Sequence, residues 1–244
     1  MSPIEEHGSI WEFDPSSSMW SMLSPSEAAA SQPAARSYHS LTSDGKDNIY
    51  LHAGCPDKGR LSDLWIFSVS NRRWRQLASA PDPARGGTSV AYGWGLLYRM
   101  HGFDGQKEQG GSLDIYSPET DKWQTHDYKP DGISGPTPRS VSTLLPISVK
   151  GRRSLVTAFG EVDPSAEGHQ GAGKMSDEVW LYDIGSKTWS RVSMHNAVGP
   201  ESKPCGRGWL AADVLGAINA EQILFQGGLG ESKERLGDGW VLSF

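Results

Sequence analysis

One hairpin pattern governs this sequence, and its clearest copy runs Ser62-Asp63-Leu64-Trp65-Ile66-Phe67-Ser68-Val69-Ser70-Asn71-Arg72-Arg73-Trp74. Apolar and polar residues alternate on both sides of Ser70-Asn71. This alternation predicts two antiparallel strands with one buried face, joined by a short polar turn. Tryptophan stands near the start of the first strand and again at the start of the second, nine residues later.

The same hairpin recurs along the chain. Trp11–Trp20 and Trp180–Trp189 keep both tryptophans, whereas Asp114–Trp123 keeps Tyr116 and the closing tryptophan but has lost the first one. The closing tryptophans at 20, 74, 123 and 189 are 54, 49 and 66 residues apart. A repeat of roughly 50 residues indicates a propeller or a repeat array, so the repeats decide the fold.

Each complete unit is predicted to contain four strands. A strand of small residues opens the unit, a strand ending in glycine follows, and the aromatic hairpin supplies the last two. The first strands open at Arg36, Arg85, Arg139 and Arg207. The sequence therefore predicts one all-β domain over residues 1–244, with three complete units and a partial unit at each end.

This pattern resembles that of kelch-repeat proteins. The glycine pair of that family is intact at Gly227-Gly228 and degraded to Ala53-Gly54, His101-Gly102 and Phe159-Gly160. The aromatic residue seven positions before the closing tryptophan is also kept, as Phe67, Tyr116 and Tyr182. The resemblance covers essentially the whole chain and implies a kelch-type β-propeller of four-stranded blades.

Closure of the propeller leaves three alternatives. The C-terminal end is predicted to supply strands one to three of a blade, and the N-terminal end strands three and four. Because both ends supply a third strand, they cannot combine into one four-stranded blade. Either the Trp11 strand is displaced and four blades close, or the two ends form separate partial blades, or the chain is a shortened member of a larger propeller. The third alternative is favoured, and it predicts an exposed sheet edge near one terminus.

Composition and charge argue against several classes of function. A formal net charge of −6 and a pI of about 5.6 argue against a general nucleic-acid binder, which needs clustered cations. No apolar run reaches the ~20 residues of a membrane span, and no signal peptide is recognised. Cys55 and Cys205 imply no disulfide framework. A cytoplasmic protein with no membrane partner is expected.

The segment 161–176 is the most distinctive part of the chain outside the repeats. Gly168-x4-Gly173-Lys174 nearly matches a phosphate-binding loop, but Met175 replaces the magnesium-binding hydroxyl and a strand follows instead of a helix. The segment also offers four residues that could hold a metal through oxygen and nitrogen, or could simply cap their own loop: Glu161, Asp163, Glu167 and His169.

The same segment resembles a loop of the nitrile-specifier and epithiospecifier-like kelch proteins of plants and fungi. Those proteins redirect an unstable thioglucoside breakdown product and rely on ferrous iron held by a Glu-x3-Asp-x3-His motif. In this chain Glu234-x3-Asp238 is followed by Leu242, so the motif is absent. No cofactor is therefore predicted. Iron would be a cofactor only if the chain shares the specifier activity.

One arginine opens each first strand, and symmetry predicts a ring of Arg36, Arg85, Arg139 and Arg207 near one mouth of the central channel. Guanidinium groups bind carboxylates and sulfates bidentately, so the ring could receive an acidic ligand. Alternatively, each arginine serves its own repeat by pairing with backbone carbonyls or with an acid of a neighbouring blade.

Two functions follow from these observations. The leading one is a binding platform that presents loops 55–61, 103–111 and 161–176 to a protein or a small acidic ligand, with Glu161, Asp163, His169 and the four arginines as binding residues and no evident catalysis. The alternative is an accessory enzyme of specialised metabolism, similar to specifier proteins, that steers a reactive small molecule.

Overall fold

The computed structural model describes residues 7–26, 32–166, 172–195, 203–216 and 221–244. Within these ranges the chain forms nineteen β-strands and no helix. The strands are β1 (Ile10–Asp14), β2 (Met19–Leu23), β3 (Ser40–Ser43), β4 (Asn48–Gly54), β5 (Leu61–Ser68), β6 (Arg73–Leu77), β7 (Ser89–Gly93), β8 (Leu96–Met100), β9 (Ser112–Ser117), β10 (Lys122–Asp127), β11 (Thr143–Val149), β12 (Arg152–Ala158), β13 (Glu161–Asp163), β14 (Lys174–Met175), β15 (Val179–Asp183), β16 (Thr188–Arg191), β17 (Ala211–Val214), β18 (Gln222–Leu229) and β19 (Arg235–Ser243).

These strands form the blades of a propeller. The first blade is β3–β6, the second is β7–β10, and the third contains β11, β12, β15 and β16. A three-stranded fourth blade, β17–β19, follows, and the N-terminal hairpin β1–β2 forms a sheet of its own. The prediction of an all-β propeller with three complete units and a partial unit at each end is confirmed.

Strand pairing explains the seven-residue spacing in the hairpin motif. The register places Phe67 opposite Trp74, Tyr116 opposite Trp123, and Tyr182 opposite Trp189. The paired rings lie on one face with centroids 5.0, 5.1 and 4.9 Å apart. Directly opposed aromatic pairs are a main source of sheet stability, so the motif fixes both the turn and the register.

Each of the three complete blades docks through its tryptophan-bearing face onto the unit that precedes it. The indole Nε1–H of Trp74 donates to the carbonyl of Gly8, which precedes β1, at 2.7 Å. Similarly, Trp123 donates to the carbonyl of Ala78, just after β6, at 2.8 Å. The Trp189 ring packs against Tyr128, just after β10, with centroids 5.4 Å apart. These three interfaces therefore point in one direction along the chain.

The innermost strands line a central cavity of about 650 Å³. They lie side by side in the order β3, β7, β11, β17. At one mouth a backbone ladder links the blades, because Gly87 N–H donates to Tyr38, Val141 to Gly87, and Trp209 to Val141. The N···O distances are 2.9, 2.8 and 3.1 Å. All four residues have a left-handed φ between 49° and 63°.

The degraded glycine pair has a structural explanation. The first position has a φ near +60° in every blade, which Ala53 and Phe159 tolerate. At the second position φ lies above +100°, and a Cβ on Gly54 or Gly160 would lie 2.7 Å from a backbone oxygen. Only the second position therefore requires glycine. The N–H of Gly54, Gly102 and Gly160 donates to the carbonyl of the arginine that opens the next unit.

The two ends form separate partial sheets, the second of the three alternatives considered for closure. β19 is the outer edge of the fourth blade in the described part of the chain, consistent with the expected exposed edge. Ile10 and Leu23 of the N-terminal hairpin pack on the first blade. The opposite face carries Trp11, Phe13, Trp20 and Met22, which are 45–63 % exposed. That the chain is a shortened member of a larger propeller stays a prediction.

Candidate functional site

Three loops converge on a pocket at the mouth that carries the backbone ladder. The pocket has a volume of about 270 Å³, just below the range typical of small-molecule sites. Loop 55–61 contributes Cys55 and Arg60, loop 103–111 contributes Phe103, and the segment 161–176 contributes Glu161, Pro164 and Ser165. The ladder residues Tyr38, Gly87, Val141 and Trp209 complete the walls, together with Gly86 and Ser140.

The aromatic and apolar walls are held by strained backbone. Tyr38, Val141 and Trp209 have φ values of 53°, 49° and 53°, which L-residues adopt at a cost. The ladder hydrogen bonds fix this conformation at the same position in successive blades. The strain thus places an aromatic ring from the first blade and another from the fourth at one mouth.

Arg60 is the cation of this pocket. Its Nη1 donates to the carbonyl of Gly59 at 2.9 Å, and its Nε is buried without a hydrogen-bond partner. Burial raises the pKa of the nearby Cys55 thiol and of the Tyr38 hydroxyl, and the Arg60 charge opposes both shifts. A buried guanidinium N–H without an acceptor is costly, so this position favours a ligand that brings one.

A pair of glutamates lies at and beneath the pocket wall. Glu161 is buried, and its Oε1 accepts the N–H of Gly173 at 2.9 Å. Glu108 is 8 % exposed; its Oε1 accepts the Ser140 hydroxyl at 3.1 Å, while its Oε2 is buried without a partner. Burial is the main cause that raises the pKa of Glu108 to about 8, and the charges of Glu161 and Asp104 add to it. Glu108 is therefore largely protonated at neutral pH.

The four predicted arginines lie behind the pocket and point into their blades. Each stands four residues before the first residue of its inner strand, so it precedes the strand rather than opening it. In each, Nε donates to the carbonyl two residues earlier, and Nη1 donates to the first residue of the glycine pair; the acceptor residues are Ala34 and Ala53, Pro83 and His101, Thr137 and Phe159, and Cys205 and Gly227.

Three of these arginines also meet an acid of their own blade. Arg36 binds Asp63 bidentately at 2.6 and 2.8 Å, and Arg207 binds Asp238 at 2.6 and 2.9 Å. Arg139 Nη2 binds Glu178 at 2.9 Å. Two residues further on, a tryptophan donates its indole N–H to the same carboxylate: Trp65 to Asp63, Trp180 to Glu178, and Trp240 to Asp238. These contacts are the ones expected if each arginine stabilises its own repeat. The acid comes from the same blade, however, and not from a neighbouring one. That the arginines bind a ligand stays a prediction.

Asp163 and His169 have different outcomes. Asp163 lies on β13, which pairs with β14, so part of the segment taken as a loop is a small irregular sheet. Its carboxylate is exposed and lies 3.6 Å from Lys174 Nζ. Glu167 and His169 lie outside the described residues. Glu161 is thus the predicted site residue that the structure places in the pocket wall.

The described residues do not fit the iron implied by the specifier resemblance. Within the described ranges no three His, Cys, Asp or Glu side chains are grouped as ligands for a metal ion. Iron in proteins is held by such groups of nitrogen, oxygen or sulfur ligands. We therefore derive no chemistry through a metal here. Cys55 and Cys205 are free thiols, and the described part of the chain has no helix long and apolar enough to cross a membrane.

Two sets of site residues escaped the sequence analysis. Arg60, Phe103 and Trp209 come from three different blades, so no local spacing connects them. The partner acids did leave a signal, because Asp63-x-Trp65, Glu178-x-Trp180 and Asp238-x-Trp240 repeat in step with the arginines. The second blade has neither residue of this motif, because Ser112 replaces the acid and Asp114 replaces the tryptophan.

Radial four-stranded blades, a left-handed glycine at the end of each second strand and docking through tryptophan together define a kelch-type β-propeller. Residues 4–160 match the KLHDC2/KLHL20/DRC7 Kelch-repeats domain. The chain belongs to this kelch-repeat family.

The proteins that are similar to the chain include two named proteins and one solved structure. It is 24% identical over 253 residues to the N-(sulfonatooxy)prop-2-enimidothioate sulfolyase of Thlaspi arvense, covering 94% of this chain and 68% of that protein. It is 26% identical over 260 residues to Mei4-dependent protein 6 of Schizosaccharomyces pombe, covering 98% of this chain but 36% of that protein. The structure of YjhT superposes with a TM-score of 0.70 at 13% identity, covering 97% of this chain and 73% of that one.

Proposed function

We propose that this protein is a kelch-repeat binding module whose mouth pocket receives an anionic group attached to an apolar body. The observation that carries this proposal is the buried, unpartnered Nε of Arg60 in a pocket walled by Phe103, Val141 and Trp209. A carboxylate or sulfate would supply the missing acceptor, and an apolar body would cover the aromatic wall.

The pocket also limits what it admits. Its volume of about 270 Å³ suits a small molecule or one or two side chains of a protein partner. Glu161 places a negative charge in the same wall, and like charges repel across a low-dielectric site. The pocket therefore favours a ligand with a single negative charge over one with several.

Binding of simple aryl carboxylates tests the proposal. Phenylacetate and its neutral isostere, phenylacetamide, would be titrated by calorimetry into the wild-type protein and into Arg60→Gln. We expect the carboxylate to bind more tightly than the amide, and Arg60→Gln to lose about 10- to 100-fold in affinity, as expected for one charged hydrogen bond. Arg152→Gln, on the exposed far side of the third blade, is the matched control.

Two probes separate the sources of the anion. Short peptides with Asp or Glu beside an aromatic residue represent a protein partner, and the aryl carboxylates represent a metabolite. Tighter binding of the peptides favours a protein ligand, and tighter binding of the small acids favours a metabolite. Equal affinity for the acid and the amide, or an unchanged affinity in Arg60→Gln, contradicts the proposal.

The similarity to the sulfolyase supports a second candidate, an accessory enzyme of specialised metabolism. A sulfonatooxy group is an anion, and the substrate in that relative's name carries it beside a small apolar chain. Its sulfonatooxy group would supply the acceptor that Arg60 Nε lacks, whereas the thioate of the same molecule is a second anion, which the charge of Glu161 disfavours. Incubation of the purified protein with this class of compound, followed by product analysis, tests it. We expect Arg60→Gln to change the product ratio if this function holds, and no effect of the wild-type protein contradicts it.

A further inference from the structure

The second blade lacks the carboxylate that neutralises the repeat arginine in the other three blades. Asp63, Glu178 and Asp238 stand two residues before a tryptophan and pair with Arg36, Arg139 and Arg207. The equivalent residue in the second blade is Ser112, and Asp114 takes the place of the tryptophan. The repeat therefore has a hydroxyl-bearing residue in the second blade at the position where the other three blades have an acid.

Arg85 is nevertheless as deeply buried as its counterparts. It is 3 % exposed, and its two hydrogen bonds go to backbone carbonyls: Nε to Pro83 at 3.0 Å and Nη1 to His101 at 3.1 Å. Among the described residues no carboxylate is paired with it. Burial and the charge of Arg99 lower the pKa of Arg85 to about 10, whereas Asp238 raises the pKa of Arg207.

Three carboxylates act on the charge of Arg85, those of Asp114, Asp104 and Asp82, and none of them pairs with it directly. Asp114 Oδ2 binds Arg99 at 2.6 Å, and its Oδ1 accepts the hydroxyl of Thr125 at 2.7 Å. Asp104 accepts the backbone N–H groups of Gln106 and Lys107 and the side-chain amide of Gln109. Asp114, the one buried carboxylate of these three, pairs with Arg99, so Arg85 has no paired carboxylate of its own and is offset only by acids that are not in contact with it. An unpaired buried charge is strongly unfavourable.

We propose that a small monovalent anion, with chloride as the simplest case, binds beside Arg85 at the position that a carboxylate occupies in the other three blades. Ser112 has a smaller side chain than aspartate, and its hydroxyl can donate to an anion. The site is independent of the mouth pocket and of its ligand. It would neutralise the second blade in the way that Asp63, Glu178 and Asp238 neutralise the others.

Thermal unfolding in two salts tests this site. The wild-type protein and Ser112→Asp are compared in chloride and in gluconate at equal ionic strength, since gluconate is too large for the position. An ion present at about ten times its Kd raises the Tm of a domain of this size by about 2–5 °C. We expect this rise in the wild type and its absence in Ser112→Asp, which carries its own carboxylate.

Further variants and a direct measurement complete the test. Ser112→Asn fills the position without supplying a charge, so it should lose the dependence on chloride without the higher Tm in gluconate that is expected of Ser112→Asp. Asp63→Ser in the first blade creates a new dependence beside Arg36. ³⁵Cl NMR line broadening reports the ion itself and is lost in Ser112→Asp. Equal Tm values of the wild type in the two salts, or the same chloride dependence in Ser112→Asp, overturns the proposal.

Discussion

Glu108 shows how one side chain connects the pocket to stability. Its carboxyl is held by one hydroxyl and is otherwise buried, so ionisation is unfavourable in the folded protein. Because its pKa rises from 4.5 to about 8 on folding, its contribution to stability is fully present below pH 4.5 and is lost as pH rises through 8. His52 and His101 act in the opposite direction, because burial holds their pKa well below 6.5 and stability falls below that pH.

Glu108→Gln is expected to remove the alkaline loss of stability. The amide oxygen can still accept the Ser140 hydroxyl, but the side chain cannot ionise. The free energy of unfolding of the variant relative to the wild type should rise between pH 4.5 and pH 8, with a slope of up to about 1.4 kcal/mol per pH unit. Urea unfolding at several pH values measures it. Parallel profiles of the two proteins would show that Glu108 ionises freely, and the histidine contributions cancel in the comparison.

The glycine that ends each second strand explains why the kelch pair degrades on one side only. At Gly54 the backbone is left-handed and the Ser37 carbonyl is too close for a Cβ. At Ala53, one residue earlier, the φ of 59° is in the left-handed region, which an L-residue can adopt at a modest energetic cost. The repeat therefore retains one glycine for steric reasons and varies the other, and the variable position meets the repeat arginine through its carbonyl alone.

Gly54→Ala and Ala53→Gly form a matched pair that tests this account. We expect Gly54→Ala to reduce the free energy of unfolding by about 3 kcal/mol, through backbone strain and a clash that a carbonyl cannot relieve. Ala53→Gly relieves strain but adds flexibility to the unfolded chain, so its effect should stay below about 1 kcal/mol. Denaturant titrations give both values. A larger loss in Ala53→Gly than in Gly54→Ala would contradict the assignment.

The repeated hairpin pattern made the strands predictable from the sequence. Features outside the repeat were not predictable in this way. The spacing of Phe67 from Trp74 predicted a hairpin and its register, because an aromatic pair must lie directly across the strands. The three loops at the pocket were named from the sequence, but the residues that meet there were not, since Tyr38, Arg60 and Trp209 come together only when the blades assemble around the axis. Likewise, β13 and β14 carry no repeated signal. Glu161 was identified because acids in a long loop of a propeller face a mouth, which requires no exact register.

Three blades of the molecule dock in the same direction, so the same substitution should have different effects on a docked tryptophan and on an exposed one. Trp123→Phe removes the indole N–H that bonds to Ala78 and leaves that carbonyl without its partner, so we expect a loss of about 1–3 kcal/mol. Trp20 is 63 % exposed on the N-terminal hairpin, and Trp20→Phe should change stability by less than about 0.5 kcal/mol. Chemical denaturation followed by circular dichroism compares them, and equal losses would contradict directional docking.

That direction has a consequence for how the chain is made. Proteins emerge from the ribosome N-terminus first, and their domains fold in that order. Here each blade rests on the unit translated just before it, through Trp74 on the segment at Gly8 and through Trp123 on Ala78. A newly emerged blade therefore meets a unit that has already been translated, and its own glycine N–H group is satisfied when the arginine of the next unit follows. The blades can thus dock one after another during translation, in the order in which they are synthesised.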